Sequence, residues 1–288
     1  MPSNSTVWVV IPTFNRQQLL RECLYGLFKQ SYPNLKIIVV DDGTDKTFKQ
    51  IQCDFPKVTV LKTSGNKWWT GSMNIGLSFV RPIAKENDFI LSFNDDVEIE
   101  NDFIQNIVNS SLSAGNNSII GALAVDIKDE NKTVFSGTTI SWKTGRWGSK
   151  KHEVSNNAPL IPTDSLPGRG CLIPIKAFTE IGYYDEHLFP QYFGDEDYVL
   201  TAKSKGYSLF VSREAIVKSH VEETGIGRYN QTLTQFMKSL FSIRSPNQLM
   251  RRKQFIFKHA PRKYKISFWL IDSAKVITSF FRNKEMRK

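Results

Sequence analysis

The chain has 288 residues, 40% hydrophobic and 23% charged, enough to bury a full core in one large domain or one domain with an appendage. This excludes a disulfide-stapled mini-protein and a disordered tail, and no apolar run approaches the roughly 20 residues of a membrane-spanning helix. The net charge of +10 is unevenly placed: residues 1–229 carry 24 Lys/Arg against 26 Asp/Glu, whereas residues 230–288 carry 14 against 2.

In chain order, Thr6 to Ile11 is a β-branched strand closed by Pro12, and Arg16 to Gln30 sets Leu19, Leu20, Cys23, Leu24, Leu27 and Phe28 on one helical stripe. Before that strand there is no basic n-region, and its apolar run is too short for a secretory h-region, so the protein is expected in the cytoplasm. Leu35 to Val40 reads as a second buried strand, ending in Asp41-Asp42-Gly43, and Val58 to Leu61 as a third, with a short helix over 44–53 between them. Gly71 to Ala84 is helical, and Asp88 to Phe93 is a strand that runs into Asn94-Asp95-Asp96. Strand–helix alternation of this kind predicts right-handed crossovers and a mainly parallel central sheet flanked by helices, with ligands at the carboxyl ends of its strands. The clusters Thr13-Phe14-Asn15-Arg16, Asp41-Asp42-Gly43 and Asn94-Asp95-Asp96 fall at those ends.

Asn101 is placed to cap a helix whose inner face carries Phe103, Ile104, Ile107, Val108 and Leu112, and Ile119 to Val125 returns as a strand. Residues 134–147 read as a hairpin or mobile loop, and 149–166 as a long loop of the kind that serves as an active-site lid. Leu172-Ile173-Pro174 precedes a short helix. Asp195-Glu196-Asp197-Tyr198 leads into a helix over 199–205, followed by strands over 207–211 and 215–221, the last carrying His220. Beyond Tyr229 the chain is a basic, aromatic-rich helical extension, giving two parts, 1–229 and 230–288. The three cysteines, Cys23, Cys53 and Cys171, show no metal or disulfide spacing and read as packed or surface thiols.

Asn94-Asp95-Asp96 gathers hard oxygen donors suited to Mg²⁺ or Mn²⁺, though the same tripeptide could be a solvated turn or a helix cap. Asp195-Glu196-Asp197 offers a general base, or simply acids that favour a helix N-terminus. His220 is a metal or phosphate ligand, or a satisfied structural histidine. Of the indoles of Trp68 and Trp69, one packs in the core and the other is free to line a nucleotide or sugar pocket. P-loop, dinucleotide-fingerprint, zincin and serine-hydrolase motifs are all missing from the sequence.

These segments together resemble the family 2 glycosyltransferases of GT-A fold. Val9 to Arg16 is similar to the family's opening strand and nucleotide loop, Ile38 to Gly43 to its second, Lys67 to Gly76 to the segment under the donor diphosphate, and Phe93 to Val97 to its D-x-D motif. The resemblance, which includes rhamnosyltransferase-like members of polysaccharide biosynthesis, spans about residues 6–220. It implies donor contacts from Pro12, Thr13, Asn15, Arg16, Asp41, Asp42, Trp68, Gly71, Asn74, Asn94 and Asp95. It further implies metal ligation by Asp96 and His220, and catalysis by Asp195 with Glu196 and Asp197 as supporting acids. Two positions depart from the pattern: Asn94 replaces the first acid of the metal motif, and Gly194 replaces the glutamate before the catalytic aspartate, which makes Glu196 a competing base.

The implied reaction is inverting, metal-dependent transfer from a nucleoside-diphosphate sugar of UDP or dTDP type, the sugar a deoxysugar such as rhamnose ahead of galactose or an N-acetylhexosamine, to a saccharide or lipid-linked acceptor of cell-surface polysaccharide or glycolipid. The basic extension implies peripheral contact with the anionic inner face of the plasma membrane, and no nucleic-acid partner is expected. The competing readings are a sugar-phosphate nucleotidyltransferase and a non-catalytic sugar-nucleotide or nucleic-acid binding module.

Overall fold

The structure, a computed structural model, describes residues 5–43, 45–149, 158–219 and 232–285. Its elements run β1 (Val7–Thr13), α1 (Gln17–Phe28), β2 (Leu35–Asp41), α2 (Asp45–Asp54), β3 (Thr59–Lys62), α3 (Trp68–Val80), β4 (Phe89–Ser92), β5 (Val97–Ile99), α4 (Phe103–Ala114) and β6 (Ser118–Asp126). There follow β7 (Asp129–Phe135), β8 (Thr138–Ser141), β9 (Arg146–Ser149), β10 (Leu160–Pro162), β11 (Cys171–Pro174), α5 (Ile175–Ile181), α6 (Gly194–Ser204), β12 (Ser208–Ser219), α7 (Leu233–Ser239), α8 (Leu249–His259) and α9 (Lys265–Glu285).

The main sheet has the order β10-β12-β6-β11-β4-β1-β2-β3, with β5 on β12 and β7 on β6. The expected parallel arrangement holds for β4-β1-β2-β3 and for β6 with β12. It fails at the centre, where β11 inserts antiparallel between β4 and β6. A four-residue apolar strand reads the same in either direction, so its pattern specified burial but not polarity. Side-chain alternation then fills two cores. Val7, Val9, Ile11 and Leu91 meet Leu20, Leu24, Ile104 and Ile107 of α1 and α4 on one face, while Val10, Ile38, Val40 and Ile90 meet Met73, Leu77 and Tyr198 of α3 and α6 on the other.

Several boundaries differ from the sequence pattern. The helix expected over 71–84 starts three residues earlier, at Trp68, and ends at Val80. Asp102, not Asn101, stands at the cap of α4 and makes no side-chain cap bond, and Leu112 and Phe28 face solvent. The two strands expected over 207–221 are one, β12, with a register shift between Ser212 and Ile216. The hairpin forms as β8–β9, and the loop expected over 149–166 contains β10, which pairs antiparallel with β12.

The extension is helical as expected, and two of its phenylalanines, Phe255 and Phe268, turn inward onto the body. Phe255 of α8 packs between Phe189, Phe193 and Trp147, stacking on the indole at 4.7 Å and 13°. Phe268 of α9 lies 4.9 Å from Trp142, while within the extension Phe236 of α7 stacks on Phe280 of α9 at 4.4 Å. Burying rings of this size is the largest apolar contribution a short helix makes.

Candidate active site

Register brings the polar strand ends together. Thr13 pairs with Asp41 across β1 and β2, and Val10 with Ser92 across β1 and β4, so Thr13, Asp41 and Asn94 end their strands side by side. Gly43 sits so close to Asn15 that a Cβ there would lie 2.6 Å from its side-chain oxygen, which joins the first two strand ends into one floor. The Asp41 carboxylate is fully buried, accepting from Gly43 N–H (2.8 Å) and the Lys62 ammonium (3.4 Å). Asp42 accepts from the N–H groups of Lys67 (2.8 Å) and Trp68 (3.0 Å) and from the Thr63 hydroxyl, anchoring the entry to α3. Trp68 takes a left-handed φ of 58° there, and its ring lies beneath the Arg244 guanidinium of the extension, 5.4 Å away.

The strand end 94–96 separates three roles. Asn94 accepts from the Trp69 indole (3.2 Å), so the residue at the first acid position is a fixed structural acceptor. Asp95 has both oxygens engaged, by the Thr13 hydroxyl (2.8 Å) and by Arg16 (3.3 Å), and burial pushes its carboxyl up to about 6 against the pull of that guanidinium. Asp96 accepts from Arg16 at 3.2 Å through Oδ2, whereas its Oδ1 is buried with no partner among the described residues. An orphaned carboxylate oxygen is costly unless a cation or proton meets it.

No group of three or more His, Cys, Asp or Glu side chains that could enclose a metal exists among the described residues. Ions such as Mg²⁺ need less from the protein, commonly one or two carboxylates with substrate phosphates completing the shell. The spare oxygen of Asp96 fits that demand, whereas both oxygens of Asp95 already accept hydrogen bonds. His220 lies outside the described residues.

Across from this end stands the start of α6. Asp195 accepts from Gly168 N–H (2.7 Å) and Glu196 N–H (2.9 Å); burial raises its pKa and these backbone donors oppose the rise. Gly194 packs where a Cβ would lie 2.3 Å from Thr70 Oγ1 and 3.0 Å from the Phe189 carbonyl, so the glutamate that the family resemblance places there has no room. Phe193 precedes it with φ of 71°, held in that strained conformation by the aromatic cluster around Phe255. Asp197 is buried away from this face, bonded to Lys258 (2.9 Å) and His259 (2.7 Å) of α8. The structure therefore divides the acidic trio, turning its third member to the extension.

Glu196 behaves differently from Asp195. Burial, with the Asp195 charge beside it, pushes Glu196 up to about 8, so it is protonated at neutral pH. A carboxyl raised in the folded state contributes stability in full below its unfolded value, about 4.5, and loses it as pH rises through about 8. The Glu196→Gln variant, permanently neutral, is expected to match the parent's melting temperature near pH 4 and exceed it increasingly toward pH 9. A melting-temperature difference that stays flat across that range would remove this assignment.

Sequence patterns passed over Arg169. It lies in Pro167-Gly168-Arg169-Gly170, a stretch whose glycines are needed because Gly168 abuts the Trp69 ring and Gly170, at φ of 70°, abuts Ala122. Arg169 donates to the Ser219 hydroxyl (2.6 Å), its Nε is buried without a partner among the described residues, and it lies in the electrostatic field of both Asp96 and Asp195. An arginine between two glycines was the available signal, and alone it reads as a turn. Gly71 and Asn74, by contrast, face the segment 184–186: Asn74 bonds the Tyr184 carbonyl, the Tyr184 N–H and the Glu186 carboxylate.

The family model described as glycosyl transferase family 2 matches residues 8–179. Among curated relatives, the dTDP-rhamnosyl transferase RfbF of Shigella flexneri is 25% identical over 193 residues, covering 67% of this chain and 62% of its own. An uncharacterized glycosyltransferase of Rickettsia prowazekii is 26% identical over 219 residues, covering 75% and 64%. The chain thus spans less than two thirds of the length of these relatives. Among solved structures, the mannosyltransferase PcManGT of Pyrobaculum calidifontis, in complex with GDP-Man and Mn²⁺, superposes with a TM-score of 0.60 at 15% identity over 96% of this chain and 76% of that one. Staphylococcus aureus TarS gives 0.56 at 15% identity over 96% and 91%. At this identity the likeness is one of fold, the GT-A fold.

Proposed function

Since the chain belongs to glycosyl transferase family 2 and is a glycosyltransferase, we propose that it moves a sugar, with inversion, from a nucleoside diphosphate of UDP or dTDP type to an acceptor hydroxyl. The acceptor is a saccharide or lipid-linked glycan of cell-surface polysaccharide or glycolipid, met at the cytoplasmic face of an anionic membrane. Residues 1–229 carry the chemistry, with 230–288 as a docked extension. The observation that carries this reading is the convergence at Pro167–Gly170, where one residue's N–H holds Asp195 and the next lies in the field of Asp96 and Asp195 together.

In this mechanism Asp195 accepts the proton of the acceptor hydroxyl, and the freed oxygen bonds to the anomeric carbon. The bond from that carbon to the β-phosphate oxygen breaks on the opposite face, and its electron pair leaves with the nucleoside diphosphate. Asp195 suits the base role over Glu196, because two backbone donors favour its carboxylate form against the rise caused by burial, whereas burial and the Asp195 charge push Glu196 up to about 8. Thr13, Asn15, Arg16, Asp41 and Asp42 form the nucleotide floor with Pro12, and Trp68 borders it. Asp96, with His220, would hold a Mg²⁺ or Mn²⁺ ion, which when bound supplies charge neutralisation to the diphosphate. Arg169 adds a protein-borne positive charge at the same place, in a position where Asn94 has removed one negative charge.

The test is thermal shift and slow donor hydrolysis against UDP-, dTDP- and GDP-sugars with Mn²⁺, Mg²⁺ or a chelator. dTDP-rhamnose comes first, given the activity named for the Shigella relative. Metal-dependent stabilisation by one nucleotide class is expected, and silence across the whole panel would sink the reading. In the same assay Arg169→Gln should weaken nucleoside diphosphate about 10- to 100-fold, the worth of a charged hydrogen bond, with Arg169→Lys intermediate and the phosphate-free nucleoside unaffected. Equal weakening of the nucleoside would mean that Arg169 only supports the fold.

A further inference from the structure

The outer side of the extension is apolar where the inner side already has partners. On α9, Phe268, Asp272 and Val276 face inward, while Ile266, Leu270, Ile277 and Phe281 are 65%, 55%, 42% and 53% exposed. At about 100° per residue these four fall within roughly 60° of the helix circumference, a stripe about 22 Å long. On α7, which packs on α9 through Phe236, Val276 and Phe280, Met237 is 48% exposed, and Phe241 just beyond its end is 72% exposed. Contiguous exposed apolar surface of this kind marks an interaction site.

The charge around the stripe selects the partner. Of the two acids in residues 230–288, Asp272 is buried in a bidentate pair with Arg252, both bonds 2.6 Å, so it does not offset the surface lysines and arginines. Arg262, Lys263 and Lys265 stand at the start of α9. A second copy of the chain packed on this face would bring like charges together. No described helix is long and apolar enough to cross a membrane, which leaves the in-plane mode of an amphipathic basic helix.

We propose that the α9 stripe, with its basic N-terminal end, docks in the plane of an anionic lipid bilayer. This deepens the preceding reading by naming the surface that meets the membrane. Docking there also sets the attitude of the active site, because Arg252–Asp272 ties α9 to α8, and Lys258 and His259 tie α8 to Asp197 on the helix that bears Asp195.

The test is co-sedimentation of the full chain with phosphatidylcholine vesicles, with and without about one-third phosphatidylglycerol. Each Lys or Arg near an anionic surface raises partitioning about fivefold, so binding should require the anionic lipid and fall at about 1 M salt, where the Debye length is roughly 3 Å. Ile266→Ser with Ile277→Ser, at exposed positions, should weaken binding roughly tenfold or more with the melting temperature unchanged. Sedimentation indifferent to anionic lipid, or equal for the variant, overturns the proposal, as does a dimer in light scattering that the variant dissolves. Vesicle binding needs no donor, so a chain that binds vesicles yet responds to no nucleotide sugar overturns the proposed reaction and leaves the docking surface standing.

Discussion

Replacing Asp195 with asparagine is expected to leave donor binding nearly unchanged while turnover falls by about 10²–10⁴-fold, the usual contribution of a positioned base. Asparagine keeps the volume of aspartate and one oxygen that can accept from Gly168 N–H, giving up only the second acceptor, toward the adjacent Glu196 N–H. What is lost is a group able to take the acceptor's proton. Burial raises the pKa of Asp195 and its two backbone donors oppose that rise, a balance that places a carboxylate closer to the operating pH than an exposed one. Steady-state kinetics paired with nucleotide titration separates the outcomes. Loss of binding at preserved turnover would remove Asp195 from the base role, and Glu196→Gln with the same turnover defect would transfer that role to its neighbour.

The second large effect concerns a residue away from the chemistry. Asp197→Ala removes the acceptor of both Lys258 and His259, and stranding a buried partner commonly costs about 3–5 kcal/mol. The lower end applies here, since the Lys258 side chain is one-third exposed and keeps Asp185 at 3.1 Å. For a chain of this size that is a fall of roughly 5–10 °C in melting temperature. Asp197→Asn, which retains a hydrogen-bonding group toward His259, should lose less. Calorimetry of both variants decides the matter: a melting point within a degree of the parent for Asp197→Ala would mean the extension is held by its aromatic cluster alone.

How much of this was legible in sequence depends on the range of the interaction. The strands Val7–Thr13 and Leu35–Asp41 and the acidic strand end 94–96 announce themselves through local patterns of branched apolar residues stopping at polar ones. The two departures from the family pattern, Asn94 and Gly194, could be seen as departures, but their causes are long-range. Asn94 answers the Trp69 indole and Gly194 makes room for Thr70, contacts that no spacing rule reaches. Arg169 and the Asp197 partnership with α8 were hidden for the same reason. Lys258 and His259 lie 61 and 62 residues beyond Asp197, in a segment whose composition speaks of charge and aromaticity and says nothing of which side faces the body.

The antiparallel β11 carries a consequence for how this chain reaches its native state. Its four residues, 171–174, join β4 at 89–92 to β6 at 118–126, so while the chain is being synthesised the buried edge of β4 waits some eighty residues for its neighbour. Pairings that close loops of this size form slowly, and an apolar strand edge left open meanwhile is a template for association between chains. Refolding from denaturant at high protein concentration should therefore lose material to aggregation during the interval before residues 171–174 pair with β4 and β6, and in synthesis the emergence of those residues marks when these two strands can first be joined.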